Sequence, residues 1–190
     1  MKNLRERTRR AVQREIGDAA VRLFIERGYD ATTIDDIAAA VGMSPRSVFR
    51  YFATKEEIVV GKFERGAAEM LGLLRARPAG EEVWVSLRRL FDVVEEPDQR
   101  EITRPIQRVV FETPALFAVY LQMLQGIQNG VVEVLRERVA YAPQDPTPRV
   151  LTAAAFGCLV AAQHAWLAEE TEEPLLTYVD RAMAVITPRA

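Results

Sequence analysis

Along this chain the apolar residues recur at spacings of three and four, and no stretch alternates with a period of two. That pattern marks amphipathic helices rather than strands. Val12, Ile16, Ala19, Ala20, Leu23 and Phe24 share one face of a helix beginning at Arg9, with residues 1–8 expected to be disordered or loosely helical. Gly28 follows the last apolar turn and supplies a stop. Ile34, Ile37, Ala38 and Val41 form the stripe of a short second helix. The Thr33 hydroxyl can cap it, and Asp35 and Asp36 suit its positive end. Gly42 ends it, because glycine accepts the left-handed backbone that a sharp reversal needs. Ser44 caps a third helix, and Pro45 suits its first position, where no N–H is required. The apolar residues there are Val48, Phe49 and Phe52, which leaves Arg46, Ser47, Arg50 and Tyr51 facing outward.

Residues 54–57 carry a capping box, Thr54 with Glu57, so a fourth helix starts at Lys55. It runs to about Arg77, where Pro78 stops it. Gly61, Gly66 and Gly72 weaken its middle by roughly 1 kcal/mol each relative to alanine and predict a bend. A domain boundary is placed inside this helix. Beyond it, prolines divide the chain. A helix over 81–95 buries Val83, Trp84, Leu87, Leu90, Phe91 and Val94, and Pro97 ends it. Residues 98–111 give one or two short helices interrupted near Pro105. A long helix follows from Pro114 to about Ala140, then a stiff loop with Pro143 and Pro146. Two more helices cover 148–168 and 174–186. The fold class is all-α.

Composition changes this picture little: 49% hydrophobic residues over 190 positions is ordinary for a globular chain. The net charge of -2 is unevenly spread. Lys2, Arg5, Arg7, Arg9, Arg10 and Arg14 face only Glu6 in the first fourteen residues, which suggests a polyanion partner for this end or a solvated basic arm. Cys158 is the single cysteine, so an intrachain disulfide is impossible, and its apolar neighbours point to a buried thiol in a reducing compartment. No apolar signal core follows the charged N-terminus. Residues 150–168 lack formal charge and are long enough to span a bilayer. Their alanine content, Gln163 and His164 favour a buried helix of a soluble protein instead.

A helix, a glycine turn and a second short helix form a helix-turn-helix pattern, or a generic surface helix pair. In the first case the second helix enters the major groove, and Ser44, Arg46 and Ser47 meet base edges. An arginine can grip guanine bidentately. Arg50, Tyr51 and Lys55 lie farther along and suit phosphates. Thr33, at a helix start, can offer its N–H and hydroxyl to another phosphate.

Specific wording adds to this pattern. The stretches Ala-Thr-Thr-Ile-Asp-Asp-Ile-Ala at 31–38, Val-Gly-Met-Ser at 41–44, Arg-Tyr-Phe at 50–52 and Lys-Glu-Glu at 55–57 resemble the TetR family of bacterial transcriptional regulators. Residues 20–29 are similar to that family's first helix. The resemblance covers about residues 10–65. It implies a three-helix DNA-binding head over 1–54 with its basic arm, a connecting helix over 55–77, and a helical ligand-binding and dimerisation domain over 78–190. It carries DNA contact onto Thr33, Ser44, Pro45, Arg46, Ser47, Arg50, Tyr51 and Lys55. It also implies a homodimer on a palindromic double-stranded operator, a small apolar effector and a cytoplasmic repressor. An activator or a helical interaction module is the alternative.

The C-terminal half offers residues but no motif. Residues 113–132 are uncharged yet hold Gln122, Gln125, Gln128 and Asn129, and an all-round apolar helix is expected to be buried. With Trp84, Phe91, Gln107, Phe111, Tyr120 and Met123 it can line an apolar pocket with polar anchors, or make a plain core. Leu151, Ala155, Leu159, Ala162, Trp166, Leu175, Val179 and Met183, with the small residues Ala153, Ala154, Gly157 and Ala161 that let helices approach closely, are the expected dimer surface, or close the protomer's own core. His164 is the lone histidine and suits a core or interface position better than a metal. No acid, base or nucleophile grouping points to an enzyme, so no catalytic residue, cofactor or metal is expected.

Overall fold

The computed structural model describes residues 2–94, 100–169 and 171–186. All regular elements among them are helical: α1 Lys2–Arg27, α2 Ile34–Ala40, α3 Pro45–Phe49, α4 Lys55–Ala76, α5 Val83–Leu90, a 3₁₀ turn Phe91–Val94, α6 Arg100–Glu112, α7 Pro114–Arg138, α8 Thr147–Ala168 and α9 Leu175–Ile186. Most expected elements are present, with two differences. Helix α1 begins at Lys2 rather than Arg9, so the basic residues belong to a helix and not to a loose arm. Helix α6 runs through Pro105 without interruption. The proline falls early in α6, and its missing N–H removes one bond to the carbonyl four residues back. Pro97, the expected stop after 81–95, lies outside the described residues.

The chain forms two compact units, Met1–Arg65 with Glu101–Leu121 and Gly66–Arg100 with Gln122–Ala190. The division falls inside α4, and 101–121 cluster with the first unit. An apolar stripe such as Ile106 and Val110 shows that a helix is buried, not which neighbour buries it.

In the first unit, Ile16, Ala19, Ala20, Leu23 and Phe24 of α1 are buried with Ile37 and Ala38 of α2, and with Val48, Phe52, Ile58 and Val59. Phe24 packs on Tyr29 with ring centres 5.1 Å apart. Two glycines punctuate the unit. Gly28 has φ 87° and Gly42 has φ 65°, a region that costs other residues roughly 1–2 kcal/mol.

In the second unit, α8 packs along α9 and also meets α5. Phe91 meets Phe156 edge-on at 5.4 Å. Trp84, Leu87 and Leu90 of α5 are buried, whereas Val83 and Val94 are only half-buried. Arg88 of α5 holds Asp180 of α9 with two donors and Asp92 with a third. Helix α8 is long and apolar enough to cross a membrane by length and composition. Here one of its faces, including Thr152, Phe156, Gln163 and Trp166, is buried in the protomer. The Trp166 indole N–H donates to the Glu173 carbonyl at 2.9 Å, and His164 is exposed.

Candidate nucleic-acid interface

The α2–α3 unit is built by local bonds. Thr33 caps α2: its Oγ1 accepts from the Asp36 N–H at 3.1 Å. Asp36 answers by accepting from the Thr33 N–H at 2.8 Å and the Thr33 hydroxyl at 2.6 Å. These bonds, the hydroxyl foremost, hold the Asp36 carboxyl below its ordinary pKa. Both donors that Thr33 was expected to offer a phosphate are therefore engaged with Asp36. The pairing was visible in the sequence as Thr-x-x-Asp, a variant of the capping box.

Gly42 then turns the chain, and the Met43 N–H reaches back to the Ala38 carbonyl at 2.9 Å. Ser44 caps α3, with its Oγ accepting from the Ser47 N–H at 3.2 Å and lying 2.9 Å from the Ser47 hydroxyl. Pro45 takes the first helical turn. Val48 is fully buried and fixes the rotation of α3. Ser44, Arg46 and Arg50 are exposed, and Pro45, Ser47 and Tyr51 are half-buried. Phe49, expected in the core, is 53% exposed. Sequence periodicity misplaces it because a five-residue helix is too short to define a stripe.

Two residues of α1 join this surface without having been expected there. The Arg9 guanidinium lies 5.6 Å from the centre of the Tyr51 ring, and Arg50 lies 5.9 Å from it. Gln13 Nε2 donates to the Tyr51 carbonyl at 3.4 Å. Their i, i+4 spacing beside the apolar stripe was the available signal.

Lys55 has a different environment from the one expected. Its Nζ donates to the carbonyls of Tyr29 at 2.8 Å and Thr32 at 3.0 Å. The Tyr29 hydroxyl in turn donates to Glu56. Burial, then the Glu56 carboxylate, pushes the Tyr29 phenol above its ordinary pKa. The capping box of α4 is present in altered form: Thr54 accepts from the Glu57 N–H at 3.2 Å, while Glu57 accepts from Ala53 rather than from Thr54.

The expected pocket residues do not gather in one unit. Gln107, Phe111 and Tyr120 lie in the first, while Trp84, Phe91 and Met123 lie in the second. Phe111 packs against Phe117 at 5.0 Å and Tyr120 at 5.8 Å. Gln107 is 2% exposed, and its Oε1 has no hydrogen-bond partner among the described residues. The amides of α7 are not buried: Gln122, Gln125 and Asn129 are exposed and Gln128 is half-buried. Trp84 instead lines a shallow groove of about 400 Å³ with Arg88, Arg89, Asp180 and Met183.

The expected dimer residues are also placed differently. Ala155, Leu159, Ala162, Trp166, Leu175, Val179 and Met183 are buried within the protomer, and Leu151 is half-buried. Both stripes are used up where α8 packs along α9 of the same chain. The opposite face of α8 exposes Ala153, Gly157, Ala161 and Ala165. Among the described residues, no three His, Cys, Asp or Glu groups converge as a metal site.

Comparison with known proteins fits this arrangement. The profile described as bacterial regulatory proteins, tetR family, matches residues 16–60. The profile of the MftR C-terminal domain matches residues 81–190, more than half of the chain. A regulator of Mycobacterium tuberculosis named for mycofactocin biosynthesis, MftR, is 29% identical over 167 residues, covering 87% of this chain and 84% of that one. The HTH-type transcriptional regulator TcmR of Streptomyces glaucescens is 28% identical over 196 residues, covering 97% and 87%. The fold matches that of Thermus thermophilus FadR, a transcriptional repressor solved with lauroyl-CoA, at TM-score 0.62 and 22% identity over 92% of each chain.

Proposed function

Since the chain belongs to the TetR family of bacterial transcriptional regulators, we propose that it is a cytoplasmic repressor that binds a palindromic operator as a homodimer and leaves it when a small apolar effector binds. Members of this family are DNA-binding regulators and not enzymes.

The observation that carries the DNA reading is the pairing of Gly42 in left-handed backbone with an exposed Arg46 on a helix capped by Ser44. This geometry supports α3 as the helix that enters the major groove. Arg46 and Ser47 meet base edges, and the Phe49 ring adds apolar contact of the kind thymine methyl groups accept. Ser44, Pro45, Arg50 and Tyr51 frame that contact along the phosphates. Thr33 and Lys55 hold α2 and α4 in place.

The exposed face of α8 supports the homodimer. Its small side chains at Ala153, Gly157, Ala161 and Ala165 allow a second copy to approach closely. A two-fold assembly reads a two-fold operator. Buried Gln107, with an unpartnered acceptor on the same helix as Phe111, supports an effector that carries a hydrogen-bond donor on an apolar body. Such a molecule releases DNA only by preferring one conformation over another.

Selecting bound sequences from a random duplex pool tests this reading. The recovered site should have two-fold symmetry. Arg46→Ala should lower discrimination at one base pair per half-site by about 1–3 kcal/mol. Unchanged selectivity in that variant would remove α3 from the interface.

A further inference from the structure

We propose that Arg138 of α7 is a positioning residue for operator binding. It fixes the C-terminal end of α4 and thereby the half-site spacing that the two-fold assembly accepts; this rests on the two-fold reading given above. Helix α4 is continuous through the division of the chain, with 55–65 in the first unit and 66–76 in the second. Its 22 residues make a rod about 33 Å long. A tilt of about 10° about its C-terminal end carries Lys55 through about 6 Å, more than the roughly 3.4 Å between successive base pairs. Whatever holds that end therefore decides which spacing fits.

Contacts to α7 hold it, all within the second unit. The Arg138 guanidinium donates through Nη2 to the carbonyls of Pro78 at 2.9 Å and Arg77 at 3.2 Å. These carbonyls directly follow the last turn of α4, where the helix dipole leaves negative charge and a cation is favoured. Arg138 Nη1 reaches the Ser86 hydroxyl at 3.5 Å, and Ser86 donates to the Glu81 carboxylate that Arg77 also holds. Farther up α4, Leu71 sits against Gly130 of α7: a Cβ at Gly130 would stand 3.0 Å from Leu71 Cδ1 and 3.3 Å from Cδ2. Glycine is what allows so close an approach. Between these points Arg75 meets Glu137 at 3.3 Å, an exposed pair that adds little by itself. The end of α4 is thus pinned to one helix at two places, by Arg138 and at Gly130.

The test measures affinity by fluorescence anisotropy for the selected operator duplex, the same operator with one base pair inserted at its centre, and a single half-site. The proteins are the wild type, Arg138→Gln, Arg138→Lys, Gly130→Val and Gly130→Val/Leu71→Ala. A second half-site at matched spacing raises affinity about 10²–10⁴-fold, so the insertion should cost the wild type about tenfold or more. Arg138→Gln and Gly130→Val should reduce that penalty to about threefold or less, with half-site affinity unchanged. Arg138→Lys keeps the charge and its donors, and Leu71→Ala frees room beside Gly130→Val, so both should recover the wild-type penalty. A role confined to stability lowers melting midpoints but leaves the penalty of the folded protein intact. A full penalty in Arg138→Gln therefore overturns the proposal and leaves the two-fold reading standing. Should Arg138→Gln fail to fold, Gly130→Val decides in the same way. A wild type indifferent to the insertion overturns the two-fold reading, and the proposal with it.

Discussion

The Lys55 ammonium sits 4.0 Å from the centre of the Tyr29 ring and donates to Tyr29's own carbonyl. A second donor is taken by Thr32, whose hydroxyl is itself bonded to the Gly28 carbonyl at 2.8 Å. One cation thus joins the first turn of α4 to the turn between α1 and α2. Two of its donors are thus engaged by backbone carbonyls, where a free surface lysine would offer them to a phosphate.

Lys55→Met should therefore act on stability. Two charge-assisted bonds and a cation–π contact at a half-exposed site are worth about 1–2 kcal/mol. The melting midpoint should fall accordingly in calorimetry. The salt slope for operator binding should stay at the wild-type value, whereas loss of a phosphate-bound lysine lowers it by about 1.

Gln107→Leu should leave the melting midpoint of the ligand-free protein unchanged or raise it. The Gln107 acceptor is buried without a partner among the described residues, and an unmet group of this kind costs about 1–3 kcal/mol. Calorimetry of both forms decides this. A clear loss of stability in the variant would mean that the amide oxygen is satisfied in solution and is not waiting for an effector.

Two substitutions on opposite faces of α8 should separate assembly from core. Ala161→Arg puts a charge on the exposed small-residue face and should yield a folded monomer in sedimentation velocity, with an unchanged circular dichroism spectrum. Leu159→Ala opens a cavity where α8 meets α9, and should cost about 2–5 kcal/mol in urea titration without dissociating the assembly.

A pH dependence follows from Glu81. Two bonds from Arg77 and one from the Ser86 hydroxyl at 2.7 Å surround its carboxylate. Arg77 first, then Ser86, lower its pKa from 4.5 to about 2. A depressed folded pKa means that the stabilising effect is complete above 4.5 and is lost as pH falls through about 2. Glu81→Gln should melt lower than wild type at neutral pH, and the two midpoints should converge on acidification through that window. A constant difference across it would show that the carboxylate charge contributes nothing.

Local chemistry made much of this fold legible. Thr33, Gly42, Ser44 and Pro45 act through bonds and dihedrals within a few residues, so their roles can be read before any tertiary structure exists. The burial of Leu159 and Val179 was equally legible as a stripe. Which surface meets that stripe was not, because hydrophobic pattern does not distinguish a helix of the same chain from one of a second copy. Phe49 failed for want of length in α3, and Pro105 because neighbouring buried residues such as Ile106 keep α6 helical across it. The bonds of Lys55 were not legible because a charge looks free in sequence until the carbonyls that accept it are in place.

Cys158 is 4% exposed, its thiol donates to the Ala182 carbonyl at 3.6 Å, and burial raises its pKa. Alkylating reagents attack the thiolate, so this thiol reacts slowly. The natural chain is consequently a ready host for site-directed labelling. One cysteine introduced on an exposed position of α1 becomes the fast-reacting thiol of each protomer, with Cys158 left in place. In a two-fold assembly a single labelled position generates a pair of identical probes. One inter-probe distance then reports the separation of the two reading heads, and how it changes when an effector is added.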